Sequence, residues 1–260
     1  MRNKLTCELA VCGYNAVSAL GQYHPERINR LFLRQDRFES FTTVCGGLAE
    51  RRRPYKVCGD EELERICKST HHQGVVAMIY EPEIQNLSGE DLTDWARGGK
   101  TGLVLHEVGN DNNLGAVIRS AAFFDGAYIV ISTEDPEARL TTSAYRVAEG
   151  GMEHVTIRGI RNTAAFLRAA SRSLLVIGAD HRARFRLRDL PRIAADKQQA
   201  LPRREGRPGI VLVLGNEERG LPGAVKENCG ALVRIPGTGL MESLNVAQAA
   251  ALFLEEIYEL

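Results

Sequence analysis

Between residues 101 and 260, apolar runs of strand length alternate with helical patterns, and that alternation leaves the chain few folds to choose from. Strand-like runs fall at 103–106, 128–132, 154–157, 174–178, 210–214 and 231–235. Helical patterns fall at 114–124, 143–148, 163–171, 222–228 and 246–260. Such alternation predicts an α/β fold with a mostly parallel sheet covered on both faces, and pattern alone gives an open, doubly wound one. Three of the strand ends run into polar, glycine-containing loops. After 102–107 comes Asn112-Asn113-Leu114-Gly115 and, further on, Arg119. After 211–214 comes Gly215-Asn216-Glu217-Glu218-Arg219-Gly220-Leu221. After the run ending at Ile235, Pro236, Gly237 and Gly239 break the strand, and Ser243 or Asn245 can cap the helix that follows. In an α/β sheet such loops gather at the carboxyl ends of the strands, where ligands bind. The last helix reads as apolar almost all round until Glu255, which predicts burial in a core or against a second subunit. A capped helix start behind a glycine loop presents free N–H groups and suits a polar small molecule, although an ordinary strand–turn–helix joint has the same pattern.

In this order and spacing the three segments resemble motifs 1, 2 and 3 of the SpoU branch of the SPOUT RNA methyltransferases. Asn113 to Arg119 is similar to motif 1, Gly215-Asn216-Glu217 with Gly220-Leu221 to motif 2, and Ile235-Pro236, Gly239 and Ser243-Leu244-Asn245-Val246 to motif 3. The resemblance covers about residues 100–260. It implies a SPOUT-type sheet whose C-terminal segment threads a loop as a trefoil knot, against the rule that chains do not knot. Nothing in the periodicity shows such a knot.

Residues 1–82 read as a small α/β unit. A turn and helix are predicted over 11–20, a strand over 27–33, a helix over 38–52, a short strand at 55–57, a helix from Asp60 or Glu61 through Cys67, and a strand over 73–80. Gly13, Ala16-Val17 and Leu20, with His72-Gln73-Gly74-Val75-Val76-Ala77, resemble the L30e-like substrate-binding domain that precedes the methyltransferase domain in several SpoU members. Residues 83–100, with Pro82, Ser88-Gly89 and Gly98-Gly99 as turn signals, read as a linker that can hold one short helix, so the methyltransferase domain is placed at 101–260. His71 and His72 lack a third ligand nearby, so no metal is expected.

Composition narrows the partners. Hydrophobic residues make up 44% of the 260, which suits a globular chain. No apolar run approaches the roughly 20 residues of a membrane span, and no long apolar region follows Met1-Arg2-Asn3-Lys4-Leu5-Thr6, so neither a membrane role nor a signal peptide is expected. The six cysteines form no C-x-x-C pair, which fits a reduced, cytoplasmic protein. Net charge is zero, yet residues 158–207 hold thirteen lysines and arginines against four acids. A basic zone on a neutral protein suits a polyanion met on one face. Arg182, Arg184, Arg186, Arg188 and Arg192 read as an extended excursion that supplies positive charge, and Arg51-Arg52-Arg53 beside Tyr55 as either a phosphate contact or a charged helix end.

The chemistry implied by the resemblance is transfer of a methyl group from S-adenosylmethionine to a ribose 2′-hydroxyl of ribosomal or transfer RNA, by a homodimer and without metal. Gly215, Ile235 and Leu244 would contact the donor. The family role implied for Arg119 is activation of the 2′-hydroxyl, and its chemistry suits binding the neighbouring phosphate and stabilising the developing alkoxide. Glu217 would orient Arg119 or hold the ribose, and Asn113, Ser243 and Asn245 would cap their helices and orient the acceptor. The chain departs from the family pattern in three places: Asn110-Asp111 stands where Asp-Pro is usual, Gly237 where Met is, and Glu218 where Gly is frequent. The alternative is an RNA-binding protein of this fold with little or no transfer activity. An unrelated α/β enzyme would need its own constellation, and neither G-x-S-x-G nor a P-loop is present.

Overall fold

The computed structural model describes residues 7–133, 139–198 and 207–260. In chain order its regular elements are β1 (Glu8–Cys12), α1 (Tyr14–Tyr23), β2 (Ile28–Leu33), α2 (Thr42–Glu50), β3 (Tyr55–Val57), α3 (Asp60–Cys67) and β4 (Val75–Tyr80). Then follow α4 (Gly89–Arg97), β5 (Thr101–Leu105), α5 (Asp111–Phe123), β6 (Gly126–Ser132), α6 (Thr142–Ala148), β7 (Thr156–Ile160) and α7 (Thr163–Ala170). The last are β8 (Leu175–Ala179), β9 (Phe185–Arg186), α8 (Leu190–Gln198), β10 (Ile210–Leu214), α9 (Gly223–Lys226), β11 (Ala231–Arg234) and α10 (Val246–Tyr258).

Two compact units result. The first holds residues 7–83 together with Leu140–His154. Its sheet has the order β1-β4-β2-β3, with β4 antiparallel to both β1 and β2 and β3 parallel to β2. Strand β1, whose end overlaps the turn predicted from residue 11, is not expected from the sequence, because five residues buried throughout have no alternation to mark a strand. Gly13, at φ +102, makes the sharp exit into α1. Residues 140–154, expected within the methyltransferase domain, pack here instead. Helix α6 lies against β1, and the turn Gly151–Glu153 against α1. A long-range ion pair holds them. Arg27 donates from Nη1 to Glu153 Oε2 at 2.8 Å and from Nη2 to the Tyr145 hydroxyl at 2.7 Å. The Glu153 side chain is only 1% exposed. No local pattern marks such a contact, because its partners lie more than a hundred residues apart.

The second unit holds the described residues of 84–139 and 155–260. Its sheet is parallel throughout, in the order β7-β6-β5-β10-β8-β11-β9. Val104, Tyr128, Val130, Val176, Val211 and Val213 share one packed face with Leu167, Leu174, Leu221 and Val225. Their strand neighbours Leu103, Ile129, Ile177 and Leu212 point the other way and are equally buried. Helix α5 packs on β6, α10 on β10, and the two helices on each other.

Of residues 83–100, read as a linker, all but Glu83 belong to this unit. Ser88 and Asp91 form a reciprocal capping box at the start of α4, and Asp91 also accepts from Arg158 Nε at 3.0 Å. Trp95 on α4 is fully buried, stacks on Tyr128 at 4.8 Å, and donates from Nε1 to the carbonyls of Lys100 and Ile210. Gly102 is obligatory beneath it, since a Cβ there would lie 2.4 Å from the indole. The arginine segment also differs from expectation. Only Phe185–Arg186 is extended, followed by a 3-10 turn at Leu187–Asp189 and α8. The buried Leu190, Ile193 and Ala194 have helical spacing, which Pro191 and Arg192 between them obscure.

Burial pushes the Glu153 carboxyl above its usual range, and the Arg27 guanidinium opposes that shift. Arg27→Ala is therefore expected to destabilise the first unit by about 3–5 kcal/mol, the cost of leaving a buried charge unpaired. A carboxyl whose folded pKa is raised loses stability as pH rises through that value, so acidification from neutral should recover part of the loss. Urea unfolding at a series of pH values checks both the loss and its sign.

Candidate active site

The sheet register sets the site. Leu105 at the end of β5 pairs with Leu214 at the end of β10, and the next residue, His106, donates its N–H to the Leu214 carbonyl at 2.8 Å. The two polar loops therefore start side by side. The Asn216 amide then joins them, donating from Nδ2 to the Glu107 carbonyl at 3.0 Å. Asn216 Oδ1 accepts from the N–H groups of Glu218 and Arg219, which shapes its own loop. Glu107 takes a left-handed backbone, φ +55, and its carboxylate pairs with Arg219 Nη2 at 3.0 Å. Asn216 stands in the motif without a role that the sequence reveals, and Glu107 carries no signal there.

Helix α5 begins at this edge. Its N-cap is Asn110, whose Oδ1 accepts from the N–H groups of Asn112 and Asn113. This corrects the capping role expected of Asn113. It also explains one departure from the family pattern. Asn replaces Asp at a cap with similar propensity, and Asp111 replaces Pro at the first helical position, where an acid suits the dipole. Asn113, relieved of capping, uses both ends of its amide. Its Nδ2 donates to Glu217 Oε1 at 2.5 Å, and its Oδ1 accepts from Asn245 Nδ2 at 3.0 Å. Asn245 in turn caps α10, accepting from Ala247 N–H at 2.9 Å. One amide thus links all three loops.

The other expected residues take separate places. Ser243 is exposed and is not the cap. Arg119 is exposed on α5, six residues beyond Asn113, or about 9 Å along the axis. Gly215 is needed by its own loop. A Cβ there would meet the backbone of Gly220 and Leu221 at 2.6–2.9 Å. The permissive residue expected beside a ligand is here permissive for a turn. Ile235 is half-buried, and residues 236–245 are all exposed. Leu240 and Met241 are 87% and 80% exposed, and nothing lies within 4 Å of a Cβ built on Gly237 or Gly239. Gly239 alone of these two has a positive φ.

Two of the basic and metal-type candidates are accounted for in the first unit. Arg53 donates from Nη1 to the carbonyls of Glu26 and Ile28, so it staples the start of β2 and does not face outward as a phosphate contact. His72 is buried and accepts from the Gly74 N–H at its Nδ1, which shapes the turn before β4. Arg51 remains exposed.

Residues 100–255 match the family described as the SpoU rRNA Methylase family, and residues 10–85 match the domain described as RNA 2′-O ribose methyltransferase substrate binding. The 23S rRNA (guanosine-2′-O-)-methyltransferase RlmB of Pseudomonas putida is 30% identical over 249 residues, spanning 95% of this chain and 94% of its own. RlmB of Pseudomonas aeruginosa is 31% identical over 251 residues, with 95% and 94% covered. Among solved structures, an AdoMet-bound rRNA methyltransferase of Sinorhizobium meliloti superposes with a TM-score of 0.73 at 23% identity, covering 98% of this chain and 88% of that one. The SpoU methyltransferase AviRb of Streptomyces viridochromogenes, in complex with AdoMet, gives 0.72 at 20% identity, with 100% and 93% covered. Both share the α/β fold with its mostly parallel sheet.

Gly215→Ala is expected to open the 215–220 turn and cost about 1–3 kcal/mol, as overpacking does. Hydrogen exchange should show the loss at the Gly220 amide, which donates to the Asn216 carbonyl. Unchanged protection there would contradict the packing role assigned to Gly215.

Proposed function

Since the chain belongs to the SpoU rRNA methylase family, we infer that it is an RNA ribose 2′-O-methyltransferase that uses S-adenosylmethionine. The observation that carries this is the Asn245–Asn113–Glu217 connection, which draws the three family motifs into one site at the sheet edge. Ribosomal RNA is the substrate that the relatives favour.

When bound, S-adenosylmethionine supplies a methyl group already activated by its sulfonium charge. The protein must align that methyl with the ribose oxygen and assist loss of the hydroxyl proton. Residues 235–245 suit the donor. They offer half-buried Ile235, exposed Leu240, Met241 and Leu244 as apolar cover, and open space beside Gly237 and Gly239. Gly215 acts one step back, by closing the turn that carries Glu217. Asn113, Asn245 and Glu217 hold the donor loop against the start of α5. Ser243, free of the capping duty, faces outward where an acceptor would lie. Arg119 offers a guanidinium fork, which suits binding a neighbouring phosphate and stabilising the developing alkoxide rather than abstracting the proton. The first unit holds the RNA, and the trefoil knot belongs to the same account.

A homodimer completes the proposal, though by other residues than the sequence suggests. Val246, Ala250, Phe253, Leu254 and Ile257 are all buried within the protomer. What remains exposed is Phe123 at 79%, with Leu252 and Tyr258 on α10. Phe124 touches both Phe123 and Tyr258, so the aromatic patch is continuous across α5 and α10. An apolar patch of this kind marks an interface.

Arg119→Ala should lower methyl transfer by at least the roughly 10²–10³-fold lost with one preorganised charge, with donor binding by calorimetry intact. An equal loss of donor binding would make Arg119 structural. Phe123→Asp should give monomers in sedimentation at micromolar concentration, and an unchanged dimer would place the interface elsewhere. Ribose-methylation mapping of total RNA with and without the gene should reveal one lost 2′-O-methyl mark. No lost mark would favour a binding protein without transfer activity.

A further inference from the structure

Of the thirteen cations of residues 158–207, the eleven in the described residues do not share one role. Arg158 is held by Asp91, and Arg168 reaches Asn228. Arg207 donates to the carbonyls of Gly99 and Ile257 and to Thr101 Oγ1. Arg203 and Arg204 lie outside the described residues. The segment around β9 is different. Between residues 182 and 192 there are five arginines and one aspartate, and all five arginines are exposed. Among the described residues, none of the five has a carboxylate within ion-pairing distance. The neighbouring acids are engaged. Asp180 is buried and paired with Lys226 at 2.5 Å, and Asp189 accepts the Arg186 N–H at 2.8 Å.

Position gives this charge its use. β9 is one of the two edge strands, paired only to β11, with Phe185 opposite Val233 and Arg186 opposite Arg234. Arg234 is the last residue of β11, directly before the exposed loop 236–245. The turn Leu187–Asp189 packs against α10, whose cap is Asn245. The run of arginines therefore comes to the candidate site at Arg186, opposite Arg234. Exposed guanidinium groups with no carboxylate partner, gathered on one edge of a protein of zero net charge, set up a local positive potential that attracts a polyanion. Arginine forks match phosphate oxygens in two-point contacts, and spacing along an edge suits a backbone that repeats.

We propose that Arg182, Arg184, Arg186, Arg188 and Arg192 form a phosphate-backbone track on the methyltransferase unit, separate from the substrate-binding unit, that leads the RNA strand to the loop 236–245. The proposal rests on RNA being the substrate. The track is sequence-independent and acts on affinity, not on the chemical step.

The test is the triple variant Arg184→Ala, Arg188→Ala, Arg192→Ala, whose side chains are exposed and lie outside the site machinery. Binding to an rRNA fragment and to an unrelated RNA of equal length is measured without donor over a salt series. Affinity should fall for both RNAs, and the slope of log K against log salt should flatten by about 0.7–0.9 for each phosphate that is no longer neutralised. KM for RNA should rise while kcat at saturating RNA, donor affinity and thermal midpoint hold. Unchanged affinity and slope, with wild type binding RNA, would overturn the track and leave the activity standing. A loss confined to the rRNA fragment would also overturn it, because a backbone track reads no sequence. Wild type that binds RNA without transferring methyl would overturn the activity, while the salt slope still decides the track.

Discussion

The place of β10 in its sheet is the constraint from which the site follows. This late strand is hydrogen-bonded to β5 on one side and β8 on the other, with all five residues buried. Its register with β5 puts Leu214 beside Leu105, so two polar loops far apart in sequence leave the sheet together. β11 follows beyond β8, and the chain then returns as α10 to pack on α5. That return brings the helix start at Asn245 to the helix start at Asn113. Neither asparagine is placed by its own loop alone. The apolar packing of two helices places them, and the amides then fix the last few ångströms.

Local signals make much of this legible in the sequence. Glycine and proline after apolar runs mark the ends of β5, β10 and β11, and an asparagine before an apolar helix marks the start of α10. The division of roles is not legible, because it depends on neighbours across the sheet. Asn113 resembles a cap until Asn110 is seen to hold the two N–H groups. Gly215 reads as a ligand-facing glycine, and the backbone of Gly220 against it adds a steric need for glycine that the sequence does not reveal. Arg53 and Arg207 read as surface charge, yet each is spent on backbone carbonyls distant in sequence. Residues 140–154 follow the same rule, because their packing partner lies in another part of the chain.

The same distinction sorts the basic residues. Arginines at helix ends and strand starts serve as staples, whereas those on the β9 edge have no carboxylate partner among the described residues, and only Arg182 donates to a side chain, the His181 Nε2 at 3.1 Å. Charge counting finds both and separates neither. What separates them is whether an acceptor within the protein already fills the guanidinium's donors.

The central claim is that Asn113 and Asn245 act as one unit that joins the donor loop to the start of α5. A double-mutant cycle on methyl transfer tests it, with Asn113→Ala, Asn245→Ser and the pair. Serine keeps the cap on α10 and removes the amide donor, so the helix is preserved. If the unit is real, the double variant should lose little more kcat/KM than the worse single variant, with a coupling of about 0.5–3 kcal/mol. Losses that simply multiply would show that the two asparagines act independently, and would contradict the claim.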